Sequence, residues 1–151
     1  MERLWTIEEP SDLLIELNTL LGEKCAWGDH MDALTLPERT VYITLTTEGD
    51  IMNGGFDQYI NNSTGNFSNE IVEAFTRIGA VQTAAICQKA LSVFGQKLPV
   101  DWAERQILLE EICTDDIYNM LEECDDAFYT RPEDLDHLNC AYVLQNRNAF
   151  S

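Results

Sequence analysis

Apolar residues recur three and four positions apart along most of this chain, and that spacing predicts amphipathic helices joined by short breaks. Leu13, Leu14, Leu17, Leu20 and Leu21 form one wide stripe, so a first helix is expected after Pro10, with Ser11 capping it and Gly22 ending it. Residues 23–36 read as irregular, with Trp27 plugging the core from there. Pro37 suits the first turn of a second helix, with Thr35 or Leu36 just outside. The segment 40–47 is ambiguous: its β-branched residues and the alternation of Val41, Ile43 and Leu45 favour a strand, whereas Val41, Leu45 and Met52 also fit a helix. Beyond it, Ser68 is placed to cap a helix, with Phe67 and Val72 as a hydrophobic staple and Gly79 as its stop. Residues 80–94 make an alanine-rich helix ended by Gly95. Asp101 with Glu104 resembles a capping box, and Thr114 starts a segment running to Tyr129. Pro132, with Glu133 and Asp134 in the first turn, opens a last helix to near Arg147. No repeat, low-complexity tract or linker interrupts the 151 residues, so one domain spanning 1–151 is expected.

One stretch departs from this regularity. Asn53-Gly54-Gly55-Phe56-Asp57-Gln58-Tyr59-Ile60-Asn61-Asn62-Ser63-Thr64-Gly65 packs three glycines, three asparagines, a glutamine and two aromatic residues into thirteen positions. Gly54 and Gly55 allow backbone angles barred to other residues. Asn53, Asn62 and Ser63 can bond to neighbouring backbone and fix turns and helix starts. Phe56 and Tyr59, three apart, would share one buried face of a short helix. The stretch reads as a rigid junction, in which Val at Gly54 or Gly55, or loss of the Asn62 amide, should destabilise the domain. A small pocket lined by Gln58, Asn61 and Asn62 is the less ordinary alternative.

This stretch resembles the signature N-G-G-F-x-Q-[FY]-x-x-N-S-[ST]-G of a bacterial domain family of unknown function, known chiefly through a DNA-mimic protein. Ile78-Gly79-Ala80 matches the step that follows it, Ala84, Ala85, Ala90 and Phe94 match an alanine-rich helix, and Leu121, Asp125 and Phe128-Tyr129 match an L-x-x-x-D-x-x-F-Y ending. The resemblance covers roughly residues 36–130, with weaker echoes to Phe150. It implies an all-α domain, so residues 40–47 are taken as helical and six to eight helices are expected. It implies a homodimer as one possible assembly, and a protein that occupies the DNA-binding surface of a transcription factor. Phe56, Tyr59, Phe75, Ile78, Phe94, Leu121 and Phe128 are the expected core.

The charge balance is the abnormal part of the composition. There are 27 acids and 9 bases, a net charge of −18. Direct nucleic-acid binding is disfavoured, because proteins grip phosphates with Lys and Arg, and an anionic membrane surface is disfavoured for the same reason. A basic protein partner is favoured, although solubility alone also accounts for the charge. No apolar run resembles a signal peptide or a membrane span. The five cysteines form no C-x-x-C pair and read as reduced thiols, which points to the cytoplasm.

The acids are unevenly placed. Residues 101–151 hold 13 acids and 3 bases, with the densest run at Glu110, Glu111, Asp115, Asp116, Glu122, Glu123, Asp125 and Asp126. On a helix over 115–128, Ile117, Met120, Leu121, Cys124 and Phe128 fall in one sector of ~100° and the acids lie opposite. A solvated helix face is the ordinary fate of such a run, but such faces normally interleave Lys or Arg, and this one does not. These eight acids are therefore the candidate partner-binding face. Enzymatic motifs are lacking: His30 and His137 are isolated, Glu133, Asp134 and His137 read better as a capped first turn than as a metal site, and neither G-x-S-x-G nor a P-loop is present. No catalytic residue, metal or cofactor is expected. Three function classes follow: a DNA mimic binding a basic DNA-binding protein, an immunity-type module neutralising a basic toxin or effector, and an enzyme with a pocket at the junction.

Overall fold

A computed structural model describes residues 1–151 as seven α-helices with short 3-10 turns between them and no strand. The helices are α1 (Pro10–Lys24), α2 (Leu36–Asn61), α3 (Ile71–Arg77), α4 (Val81–Ser92), α5 (Trp102–Ile112), α6 (Asp115–Tyr129) and α7 (Leu135–Gln145). The all-α expectation and the helix count both hold. The central element is α2, which packs against α1, α3, α5, α6 and α7, while α4 lies on α3 and α6. No helix is long and apolar enough to cross a membrane.

The β-branched segment 40–47 lies inside α2. Its threonines tolerate the helix because their hydroxyls bond back to the preceding turn: Thr40 to the Leu36 carbonyl, Thr44 to Val41 and Thr46 to Tyr42. Burial of Val41, Tyr42, Ile43 and Thr44 then outweighs their propensity. The expected large core residues are all buried, and Phe128 stands edge-on to Phe56 and Phe75 with ring centroids 6.0 and 6.5 Å away.

Several helix ends differ from expectation for identifiable reasons. In α1, Pro10 itself takes the first turn, so the cap position falls on Glu9 rather than Ser11. The helix runs through Gly22 to Lys24, and the glycine makes room rather than a stop, since the indole of Trp27 lies where a Cβ at Gly22 would be. Trp27 covers that helix from outside and does not plug the core; it is 62% exposed. In α2 the Thr35–Glu38 capping box is formed, and the fully buried Glu38 carboxylate also binds Lys24 Nζ at 2.8 Å. Ser68 is buried in the turn before α3 and makes no cap bond; the cap position is Glu70. Gly79 does close α3, at φ +86, with Ala80 N–H donating to the Phe75 carbonyl and Gly79 N–H to Thr76. Asp101, Thr114 and Asp134 cap α5, α6 and α7 with their side chains. Glu133 is not in α7's first turn. Its carboxylate instead accepts Gln82 N–H, Thr83 N–H and the Thr83 hydroxyl, and so caps α4. The last helix ends at Gln145, short of Arg147.

Candidate protein-binding face and the junction behind it

The junction is a break in α2 at Gly54 (φ −153, ψ 17) and Gly55 (φ 75, ψ −174). Only Gly55 needs a glycine-only conformation; Gly54 keeps a negative φ, contrary to the expectation for the pair. A Cβ at Gly54 would overlap the Gln58 side chain from its amide down to its Cβ, whereas one at Gly55 would overlap the Asp125 carboxylate. Gly65 is constrained by close approach, since a Cβ there would sit 2.8 Å from the Tyr59 carbonyl oxygen. Past the break, residues 56–61 resume the helix, with Phe56 and Tyr59 both fully buried.

Both ends of that short segment are held by distant side chains. At its start, Phe56 N–H donates to Asp125 Oδ1 at 2.7 Å, so a carboxylate from α6 caps the positive end. At its finish, the fully buried Arg105 guanidinium donates from Nε to the Ile60 carbonyl and from Nη2 to Asn62, both at 2.8 Å. Its Nη1 reaches Asn66 Oδ1, the Pro99 carbonyl and the Val100 carbonyl at 2.9–3.0 Å. Trp102 Nε1 takes the Asn61 carbonyl at 2.8 Å. The carbonyls exposed by the helix end are thus satisfied by the first turn of α5.

The polar signature residues gather around Asp50, which the sequence pattern did not single out. Its carboxylate accepts the Thr64 hydroxyl and the Gln58 amide, with the Asn62 amide more distant at 3.5 Å; Asn53 in turn bonds to Gln58. Asn62 is exposed and satisfies no buried backbone group, so Asn62→Ala should cost under ~0.5 kcal/mol in a urea denaturation. Ser63 is also exposed. Two cavities lie away from the junction. The larger, about 500 Å³, is lined by Ser68, Val72, Gln88, Leu91 and Lys97 among others, between the starts of α3 and the end of α4. No group of three His, Cys, Asp or Glu side chains is arranged to hold a metal ion.

Of the eight acids singled out, Glu110, Glu111, Asp115, Asp116, Glu122, Glu123 and Asp126 are exposed. Asp125 is only partly exposed and turns inward to the junction, because its position borders the buried stripe of α6. Leu121, Cys124 and Phe128 form that stripe with Ile117, while Met120, expected inside, is 40% exposed at its edge. None of the eight acids joins an ion pair; the three pairs present are Lys24–Glu38, Arg39–Glu70 and Arg77–Glu73. Between Lys97 and Arg131 the single base is Arg105, which is buried and committed to carbonyls. The face also gains Asp57, exposed on the junction helix and close enough to act on Asp125. Nothing in the sequence marked Asp57, since its neighbours come from α6.

Asp125 feels this environment. Burial raises its carboxyl above the ordinary range, the Phe56 N–H pulls it down, and Asp126, Asp57 and Glu122 push it further up. The charge itself is therefore unfavourable at this position, although the acceptor is needed. Asp125→Ala should cost ~1–2 kcal/mol, the usual value of a lost cap. Asp125→Asn, which can still accept the Phe56 N–H, should be neutral or stabilising at pH 7. An Asn variant as unstable as the Ala variant would show that the negative charge holds the junction.

Glu48 is raised as well, by burial first and then by Asp136 and Asp134, against a lowering by Arg131. A carboxyl raised on folding binds its proton more readily in the folded state, so stability falls as pH rises from the ordinary carboxylate range through the folded value. Mild acidification from pH 7 to ~5 should therefore raise Tm, since ordinary carboxylates titrate near ~4. Added salt should raise it at pH 7 by screening the like charges. Calorimetric scans across this range check both; a Tm that drops steadily from pH 7 to 5 would contradict them.

A protein-family profile described as DMP19-like protein matches residues 32–146, which includes the junction and all of α2 to α7. No curated protein and no solved structure compared with the chain gave a match. The profile covers well over half of the sequence, and the chain belongs to the DMP19-like protein family.

Proposed function

We propose that this protein is a DNA mimic: an acidic inhibitor that occupies the basic DNA-binding surface of a transcription factor or another DNA-binding protein. The observation that carries the reading is the exposed acidic face of α5 and α6, in which no carboxylate has a basic partner. A face built only for solubility would gain from Lys or Arg one turn away, and this one has none. Membership of the DMP19-like family supports the same reading. The mechanism is competitive and needs no chemistry. Carboxylates at protein-surface density attract the lysines and arginines that would otherwise neutralise phosphates, and the complex excludes DNA by occupying them. Two neighbouring acidic edges are required, because carboxylates one helical turn apart rise ~5.4 Å along the helix axis whereas each DNA strand carries one phosphate per ~3.4 Å of duplex axis. The acids of α6, the end of α5 and Asp57 supply more than one edge.

The test is competition. The protein is immobilised, a partner is captured from extract of the source cell at low salt, and the complex is challenged with double-stranded DNA or with salt. DNA should release the partner, and binding should weaken steeply as salt is added. A partner that carries DNA and this protein together, with both affinities unchanged, would overturn the mimicry reading.

A further inference from the structure

The acidic side of α6 is not purely acidic. Tyr118 and Tyr129 are 43% and 41% exposed, and they stand at its two ends. Tyr118 is one turn before Glu122; Tyr129 is one turn after Asp125 and Asp126. The row along one side of the helix thus reads aromatic, acid, acid, aromatic, with the two rings ~16 Å apart along the axis. Asp57 from the junction lies near Tyr118, and Asp125 and Asp126 lie near Tyr129, so each ring has carboxylates beside it. Burial raises both phenols first, followed by Cys113 and then Asp57 at Tyr118 and by Asp125 and Asp126 at Tyr129, so both stay neutral at physiological pH.

A copy of DNA's charge would need carboxylates alone. A ring beside a carboxylate offers something a phosphate does not: a flat π-face next to a two-oxygen acceptor. Guanidinium groups match that pair, stacking on the ring while donating two parallel hydrogen bonds, whereas an ammonium is a strongly hydrated point charge that gains less from it. We infer that the α6 face selects arginine over lysine in its partner, each tyrosine–carboxylate pair taking one guanidinium from a basic helix laid along it. The inference rests on the proposed role of the acidic face and adds to it a preference that charge alone cannot give.

The test uses the full-length protein and two synthetic helical peptides of equal length and net charge, one with arginine at every basic position and one with lysine. Binding is measured by fluorescence anisotropy at low and moderate salt. The arginine peptide should bind about tenfold tighter to the wild-type protein, as two stacked cations would give. In a Tyr118→Leu/Tyr129→Leu variant, with its helical circular dichroism unchanged, the preference should shrink to within about twofold. In Glu122→Gln/Asp126→Asn, both peptides should weaken while the tyrosine-dependent preference persists in part. Equal affinity of the two peptides for the wild type would overturn the arginine preference alone and leave the acidic face intact, as would a preference unchanged by loss of both rings. No binding of either peptide at low salt would overturn the acidic-face reading and the preference together.

Discussion

Arg105→Leu is expected to remove ~3–5 kcal/mol of folding stability, a large part of what a domain of this size has, because several buried acceptors lose their donor at once. The guanidinium is fully buried and has no carboxylate partner; all of its bonds go to carbonyl oxygens, four from the backbone and one from Asn66. Leucine fills part of the volume and satisfies none of these oxygens. Arg105→Lys keeps the charge, but a lysine has three donors on one nitrogen and cannot span Ile60, Asn62 and Val100 together, so it should recover less than half of the loss. Burial lowers the Arg105 pKa, yet arginine remains charged, and the negative end of the helix over residues 56–61 helps to compensate it. Urea denaturation of the three proteins checks this. If Arg105→Leu unfolds at the wild-type midpoint, the bonds from α5 to the end of α2 contribute no net stability.

How much of this was legible in the sequence depends on how far apart the interacting residues lie. Caps that act within one turn could be read directly, as at Asp101 and Thr114, because the donor and acceptor are three residues apart. The buried aromatic residues were legible from helical spacing and from the signature. Glu133 could not be placed, since the N–H groups it serves are fifty residues earlier and any acidic residue in a loop would look the same. Arg105 gave no signal for a related reason: its partners are backbone carbonyls, which every sequence supplies, and an arginine in a helix is ordinarily a surface residue. The helical state of 40–47 was settled in advance only by resemblance, since hydroxyl bonds to the previous turn and burial against neighbouring helices are not visible as periodicity. The acidic face was legible as a charge run. Its composition was not, because Asp125 left it for the junction and Asp57 joined it from another helix.

That exchange sharpens the functional test. Reversing Asp116, Glu122, Glu123 and Asp126 to Lys takes the net charge from −18 to −10 and places the new charge on the exposed side of α6 alone. Association with a basic DNA-binding partner should slow by ~100-fold or more, the range separating steered from unsteered encounters. Dissociation should change less where these side chains stay hydrated at the rim. Folding should suffer little: the four residues make no ion pair, and attraction of the new lysines to the acids that remain offsets the loss of Asp116 from the first turn of α6, so Tm should hold. Asp125 is the internal control. Asp125→Ala should lower stability while leaving most of the steering field intact, since seven exposed acids remain around it. The two variants therefore separate the parts of one acidic run, one acting through the partner and the other through the fold. Stopped-flow association rates at two salt concentrations, read beside thermal unfolding, check both. If the four-fold reversal left association at the wild-type rate, the face on α6 would carry no steering role and the competitive mechanism would need another surface.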